Sequence, residues 1–445
     1  MASNCSQARD LNKKFRKVIE DKPRQIAFEV FTEVMRNGAY SNLLLPQKLS
    51  QSGMDARDKA FATELVYGSL RQLGRNDYIA GKFSNKPWSE VDPGIVDVIR
   101  IGAYQLFDMR VPTHAAVDAT TNLARKVIGE SKATFVNAIM RKLASQNLDA
   151  HLSEVQDDSI ASLAIRYSHP EWIINSYRDF ISNIDELKEL LAANNRPTSP
   201  TLVAWPGKSE VTEFAGDPGK YSPFAVHIDD APYEIAAIKE RRAGIQDEGS
   251  QILTIAFANA AKDHEPWLDL CAGPGGKAAL LSYLAKEKIS ANEISEPRAE
   301  LVRQVVSSNT EIFVGDGREI EIAVGAILAD VPCTGLGALR RRAEVRWRRT
   351  PGDLPALTKL QYELIEHAVS ILPVGGILGF ATCSPHMAET RAQCASFEKK
   401  LPLSKLDVSE FLPESLMDGV SNGYMQLWPH RHDTDAMFLA LYQKR

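Results

Sequence analysis

The 445-residue chain has no stretch approaching the roughly 18 apolar residues of a membrane span. Its amino terminus is polar, so neither a secretory leader nor a transmembrane helix is expected, and the expected location is cytoplasmic. Cysteine is scarce. Cys5, Cys271, Cys333, Cys383 and Cys394 are an odd number without CxxC spacing, which excludes a disulfide framework and a zinc cluster and leaves reduced thiols. His114, His169, His367 and His432 show no metal-ligand spacing; they are read as capping or surface groups, and no metal is expected. Internal repeats and low-complexity tracts are missing too.

What is present describes an ordinary globular protein, with 44% hydrophobic and 24% charged residues, so disordered and fibrous classes are excluded. The length exceeds what one hydrophobic core serves and implies two or three domains. Net charge is −5, but residues 1–150 hold 22 Lys+Arg against 16 Asp+Glu, leaving 30 against 41 for the remainder. That basic third permits a polyanionic partner and equally describes plain surface charge, so the motifs must decide.

From Pro23 to about Lys142 apolar residues recur at spacings of three and four, as in Ile26-Ala27-Phe28-Val30-Phe31-Val34 and Phe61-Leu65-Val66-Leu70. This predicts an all-α domain, with helix starts at the capping-type residues Asp55, Asp92 and Thr113. Residues 143 to about 240 combine a helical stretch from Trp172 to Leu191 with the alternating run Thr201 to Trp205, read as a small α+β connector. Beyond Gly244, apolar runs at Trp267 to Leu270, Ile289 to Ile294, Ile312 to Val314, Ala326 to Ala329 and Gly376 to Ala381 alternate with helical segments. Such alternation predicts a parallel, doubly wound sheet, which binds ligands just beyond the carboxyl ends of its strands.

The first of these strands runs into Asp269-Leu270-Cys271-Ala272-Gly273-Pro274-Gly275-Gly276-Lys277, ahead of a helical segment. Glycines here let a ligand approach the backbone. The loop lacks both GxGxxG and GxxxxGK[ST], which disfavours NAD and ATP and leaves S-adenosylmethionine, a nucleoside ligand without phosphate. Glu293 ends the second strand 24 residues after Asp269, and Asp316 follows the third. Ribose is expected on Glu293, adenine near Asp316, and the methionine end against the backbone of Ala272 to Gly276; the bland alternative is that both acids merely cap turns.

The fourth strand ends in Asp330-Val331-Pro332-Cys333-Thr334-Gly335 and the fifth in Thr382-Cys383-Ser384-Pro385. A free cysteine is commonly a small buried hydrophobe. Cys394 keeps that reading, and Cys271 counts only as part of the cofactor turn. Two thiols at neighbouring strand ends point instead to covalent chemistry on one ligand. Carbon 5 of a pyrimidine is too poor a nucleophile to take a methyl group until a thiolate has added to carbon 6, which divides one hard step into easier ones. Asp330 is placed to meet either the cytosine edge or the cofactor's methionine end.

These motifs, with Arg341-Arg342 and Arg346-Trp347, resemble the RNA 5-methylcytosine methyltransferases of the RsmB/Sun type, the NOL/NOP2/Sun family, over nearly the whole chain. The resemblance implies that Cys383 attacks the base and Cys333 helps release the product. The first third resembles that family's NusB-like RNA-binding domain through Glu64-Leu65-Val66-Tyr67-Gly68, Arg100-Ile101-Gly102-Ala103-Tyr104-Gln105-Leu106, His114-Ala115-Ala116-Val117 and Phe135-Val136-Asn137-Ala138, which implies 16S rRNA as substrate. Departures are Gly273, Ala278, Glu293, Ala343-Glu344 and Ala436, none of which removes a reactive group. Six arginines (Arg340, Arg341, Arg342, Arg346, Arg348 and Arg349) surround Trp347 just after the Pro-Cys loop, a pattern suited to phosphate contact and base stacking.

The reading is therefore a helical RNA-binding domain (1–145), an α+β connector (146–240) and a Rossmann-like S-adenosylmethionine-dependent methyltransferase domain (241–445). Cys383, Cys333 and Asp330 are expected to be catalytic. Cys271, Ala272, Gly273, Pro274, Gly275, Gly276, Lys277, Glu293, Asp316 and Asp330 are expected to bind cofactor, and Arg341, Arg342, Arg346 and Trp347 RNA. The expected partner is small-subunit rRNA, without membrane or metal, and the protein is expected to be a monomer. Rivals are the same chemistry on transfer RNA, a non-catalytic RNA-binding factor, and an NAD-dependent enzyme.

Overall fold

The computed structural model describes residues 21–229 and 231–445; Cys5 lies outside the described residues. They divide into two compact units, one running through Glu154 and the other Val155–Arg445. No helix among the described residues is long and apolar enough to cross a membrane.

The first unit is helical, with Lys22–Asn37, Ser41–Gln51, Ala56–Arg71, Leu73–Gly81, Pro93–Phe107, Thr113–Ile128 and Glu130–Leu143. The apolar positions picked out by their spacing face inward: Val30, Phe31, Val34, Leu65, Val66 and Leu70 are all fully buried. Pro93–Phe107 packs against the first, third, fourth, sixth and seventh of these helices, and its Ile95, Val96, Val98, Ile99 and Ile101 are buried. A helix apolar on nearly every face belongs in the middle. Asp55 accepts from the Asp58 amide and Asp92 from those of Gly94 and Ile95, the capping their residue types predict. Thr113 instead opens its helix as first residue after Pro112, without a capping bond.

This unit outruns the expected boundary at 145. The short helix Leu148–His151 folds back, placing His151 Nε2 2.9 Å from the Leu143 carbonyl oxygen and its ring edge-on to Phe83 and Phe107.

The second unit begins with helices Ile160–Arg166, Glu171–Arg178 and Ile184–Ala193. Periodicity from Trp172 to Leu191 predicts one helix, but the structure interrupts it at 179–183. Asn183 accepts from the amides of Asp185 and Glu186 and starts a new helix, so a local cap overrides a continuous apolar pattern. A four-stranded antiparallel sheet follows, built from β1 (Thr201–Ala204), β2 (Asp217–Pro218), β3 (Ala225–His227) and β4 (Ala243–Ile245) in the order β2-β3-β1-β4. Strand β4 pairs with β1 beyond the expected connector limit at 240. Trp205 stacks on Tyr283 with ring centroids 5.5 Å apart, tying this small sheet to the larger one's helices.

The larger sheet contains β5 (Trp267–Asp269), β6 (Ile289–Glu293), β7 (Thr310–Val314), β8 (Ala326–Asp330), β9 (Ile377–Thr382), β10 (Leu403–Leu406), β11 (Val420–Ser421), β12 (Tyr424–Gln426) and β13 (Phe438–Lys444). Its order is β11-β12-β13-β9-β8-β5-β6-β7, with β10 also on β13. Strands β5 to β9 are parallel along this path, and β13 runs antiparallel to β9. Alternate residues feed two cores. Leu268, Ile327, Leu378 and Phe380 pack with the helices Leu354–Ile371 and Arg391–Lys400, while Trp267, Leu328, Ile377 and Ala381 pack with Glu248–Ala261, the two-sided burial of a doubly wound sheet. Strand order reverses at β5, flanked by β6 and β8, which makes its carboxyl end the crevice for a ligand.

Two of the four motif segments of the first unit meet at Gly68. A Cβ there would lie 1.9 Å from Tyr104 Cζ, and Tyr104, only 6% exposed, donates its hydroxyl to Glu64. Gly68→Ala is expected to lower the stability of the chain by about 1–3 kcal/mol through overpacking. An unchanged thermal melt would show that the ring can slide away.

Candidate active site

The loop after β5 is shaped by its glycines and by Glu293. Gly275 sits at φ +117° at the start of the helix Gly276–Leu284, and a Cβ there would lie 2.6 Å from Val305 Cγ2. A Cβ on Gly273 would lie 2.2 Å from Glu293 Oε2, because Glu293 accepts the Gly273 amide at 3.0 Å and the Ser295 amide at 3.0 Å. The acid at the end of β6 thus braces the loop in addition to closing the strand. Asp316, after β7, is gripped by Arg318, whose Nη2 lies 2.6 Å from Oδ2 and whose Nη1 reaches Glu363 at 2.6 Å. Those hydrogen bonds hold the Asp316 carboxyl down at about 2.

Asp269 and Asp330 end β5 and β8. Lys277 Nζ donates to Asp330 Oδ2 at 2.7 Å; burial works against the lysine charge, and Asp330 more than restores it. Asp269 is 1% exposed, and no side chain donates a hydrogen bond to its carboxylate oxygens. Burial and then the Asp330 charge push its carboxyl up to about 7, with Lys277 and the Cys271 backbone amide opposing. A buried acid met so weakly is costly unless something else meets it.

Strands β8 and β9 pair in parallel, with Asp330 opposite Ala381, so their following loops emerge side by side. Cys333 Sγ and Cys383 Sγ lie 3.5 Å apart. The hydrogen bond from Cys333 draws the Cys383 thiol below its ordinary range, with Lys277 and Arg342 adding to the pull against burial and Asp330. The same bond and burial push Cys333 up, with Glu389 and Asp330 contributing. Thiolate character therefore collects on Cys383, the form in which a cysteine is nucleophilic. Cys394 is fully buried in the core, away from this pair.

Sequence patterns do not single out the residues that join these loops. Glu389, fully buried, accepts the Thr334 amide at 2.8 Å and the Ser384 hydroxyl at 2.7 Å. Gln361 donates to the Pro332 carbonyl oxygen at 2.9 Å and to Glu389 at 3.2 Å. Only their lying six residues past Cys383 and on an adjacent helix, as buried polar groups, marks them.

The arginine cluster divides. Arg346 is fully buried and donates to the Ser168 carbonyl oxygen at 3.0 Å, the Asn194 carbonyl oxygen at 3.1 Å and Asn195 Oδ1 at 2.8 Å. The expectation that it faces RNA is corrected: its guanidinium ties the helical connector to the Pro-Cys segment. Arg340, also buried, holds Asp433. Arg341 pairs with Asp435 while keeping a third of its side chain exposed, and Arg342 and Trp347 are half-buried. Two of the histidines read as capping or surface groups are buried and bonded to backbone. His169 lies 2.7 Å from the Tyr167 carbonyl oxygen through Nδ1, and His432 accepts the Trp428 amide at 2.9 Å.

A family model described as 16S rRNA methyltransferase RsmB/F matches residues 256–443, and one described as the NusB family matches residues 21–145. The chain is 40% identical over 443 residues to "Putative methyltransferase MT1451" of Mycobacterium tuberculosis, covering 95% of this chain and 97% of that protein. It is 28% identical over 442 residues to ribosomal RNA small subunit methyltransferase B of Vibrio vulnificus, covering 95% and 99%. The crystal structure of PH0851 shares the fold, with a TM-score of 0.80 at 20% identity over 96% of this chain and 99% of that one.

Two expectations follow. Because the folded chain holds the Asp269 proton more tightly than the unfolded chain does, the Asp269 contribution to stability is fullest below about pH 4 and is lost as pH rises to about 7, by on the order of a few kcal/mol. Asp269→Asn cannot ionise and is expected to gain melting temperature relative to wild type across that window, and no further above it. An offset equal at both ends of the window would mean that Asp269 titrates as an ordinary carboxyl. Arg346→Lys, which cannot reproduce three donors in a fork, is expected to destabilise the chain by about 3 kcal/mol in denaturant unfolding. Wild-type stability with weakened RNA retention would return Arg346 to the RNA-facing set.

Proposed function

The chain belongs to the RsmB/F family of small-subunit rRNA methyltransferases, and we propose that it methylates carbon 5 of a cytosine in 16S rRNA, with S-adenosylmethionine as donor and Cys383 as nucleophile. The observation that carries this reading is the pair of thiols 3.5 Å apart at adjoining strand ends. A methyltransferase acting on an oxygen or an exocyclic nitrogen needs no cysteine, whereas attack on carbon 5 needs one.

The residues present fit the cofactor. The glycine cradle after β5, Glu293 and Asp316 would hold its nucleoside and methionine ends, and the buried Asp269 carboxylate, to which no side chain donates, is a counter-charge suited to a cationic ligand. When bound, S-adenosylmethionine supplies an electrophilic methyl group. The chain's own groups do the rest. The Cys383 thiolate adds to carbon 6, forming the Sγ–C6 bond and sending the ring electron pair to carbon 5, which then takes the methyl group. Loss of the carbon 5 proton to solvent water restores the double bond, breaks the Sγ–C6 bond and returns the Cys383 thiolate. Cys333, held as a neutral thiol against Cys383, assists that release. Asp330, paired with Lys277, would meet the amino edge of cytosine. Arg341, Arg342 and Trp347 would contact the RNA around the target, and the NusB-family unit would add a second RNA contact; such binding weakens steeply with salt.

Methyl transfer from labelled S-adenosylmethionine to transcribed 16S rRNA, with transfer RNA as comparison, tests the reading. Cys383→Ala is expected to lose more than about 10³-fold in rate, while Cys333→Ala is expected to accumulate a covalent RNA adduct on denaturing gels. Transfer that survives Cys383→Ala would sink the covalent mechanism.

A further inference from the structure

We propose that Glu389 is a positioning residue, clamping the Cys333 and Cys383 loops into one two-thiol unit and assigning the two thiols different roles. The inference deepens the reading above and rests on it for the identity of the reaction.

The geometry is a closed set of bonds. One Glu389 oxygen accepts the Thr334 amide at 2.8 Å and Gln361 Nε2 at 3.2 Å. The other accepts both the Thr334 and the Ser384 hydroxyls, and these lie 3.1 Å from each other. Thr334 and Ser384 each directly follow one of the cysteines. Gln361, on the helix Leu354–Ile371, also holds the Pro332 carbonyl oxygen, so the clamp is anchored outside both loops. A buried carboxylate with four donors is rigid, and its replacement leaves buried groups unpaired.

The clamp is also lopsided. Glu389 contacts the residue after Cys333 twice and the residue after Cys383 once, and its charge raises the Cys333 thiol. The other charged groups bearing on the pair are Asp330, Lys277, Arg341 and Arg342. Lys277 and Arg342 favour a thiolate on Cys383. With Glu389 in place, the single proton of a half-ionised pair resides on Cys333, leaving Cys383 to attack.

The test is alkylation of the RNA-free full chain by iodoacetamide at neutral pH, with both cysteine peptides quantified by mass spectrometry. Glu389→Gln keeps the size and removes the charge; the Cys383-to-Cys333 alkylation ratio is expected to fall about tenfold. In methyl-transfer assays the same variant is expected to lose roughly ten- to a hundredfold in kcat, with KM for S-adenosylmethionine within about twofold. A reduced kcat with an unmoved alkylation ratio would make Glu389 merely structural and overturn the proposal. If Glu389→Gln does not accumulate folded, Glu389→Asp, which withdraws the carboxylate by one methylene, is read in the same way: a lowered ratio supports the proposal and an unmoved one overturns it. Alkylation needs no RNA. A wild type that fails to methylate cytosine would therefore count against the assigned reaction, while the ratio still decides the role of Glu389.

Discussion

Parallel pairing of β8 with β9, from Ala326 opposite Ile377 to Asp330 opposite Ala381, sets where two loops leave the sheet, and the chemistry depends on it. Each loop carries one thiol, and a shift of a residue in either strand would turn its side chains to the other face. Packing on both sides defends this register. Gly379 has no room for a side chain against Phe257, and Phe380 meets Phe397 edge to face, with centroids 5.1 Å apart. The thiol separation is thus a property of the core as much as of the loops.

Around that pair the unit concentrates acids that a soluble protein would ordinarily expose. Asp269, Glu293 and Asp330 end three adjacent strands, with Lys277 paired to Asp330 and Arg298 to Glu293. Burial makes such a group respond strongly to added charge. The proposed cationic, nucleoside-bearing cofactor would bring positive charge to the buried Asp269 carboxylate, so its binding would be linked to ionisation of the site. The same field shapes the thiols, since Lys277 and Arg342 favour ionised Cys383, while the bond to Cys383 and burial raise Cys333, with Glu389 adding to them.

The arginine-rich segment shows one charge pattern serving two purposes. Arg346 and Arg340 are turned inward as multi-donor ties to backbone carbonyl oxygens and to Asp433, and Arg341 is steered by Asp435. Fixing these inward arginines gives the segment a defined backbone, from which Arg342 and the Trp347 ring emerge half-buried. Guanidinium suits this work because its planar fork satisfies several acceptors at once.

Local chemistry accounts for what the sequence shows by itself: periodicity located the helices of the first unit, apolar runs the strands β5 to β9, and residue type the caps at Asp55 and Asp92. Strand-end positions likewise named Cys333, Cys383, Asp330, Glu293 and Asp316, because a parallel sheet presents its strand ends to one crevice. Periodicity could not see that Asn183 divides a helix, or that His151 carries the first unit past residue 145, since a single side-chain bond or ring contact decides each. Nor could it tell Arg346 from Arg342, two guanidiniums in one run whose exposure depends on carbonyl oxygens about 150 to 180 residues away. The sequence alone determined which reactive groups exist and at which strand ends they lie. Only tertiary structure decided which thiol is ionised, which arginines face solvent and that Glu389 joins the two loops, because burial and partners distant in sequence set those energies.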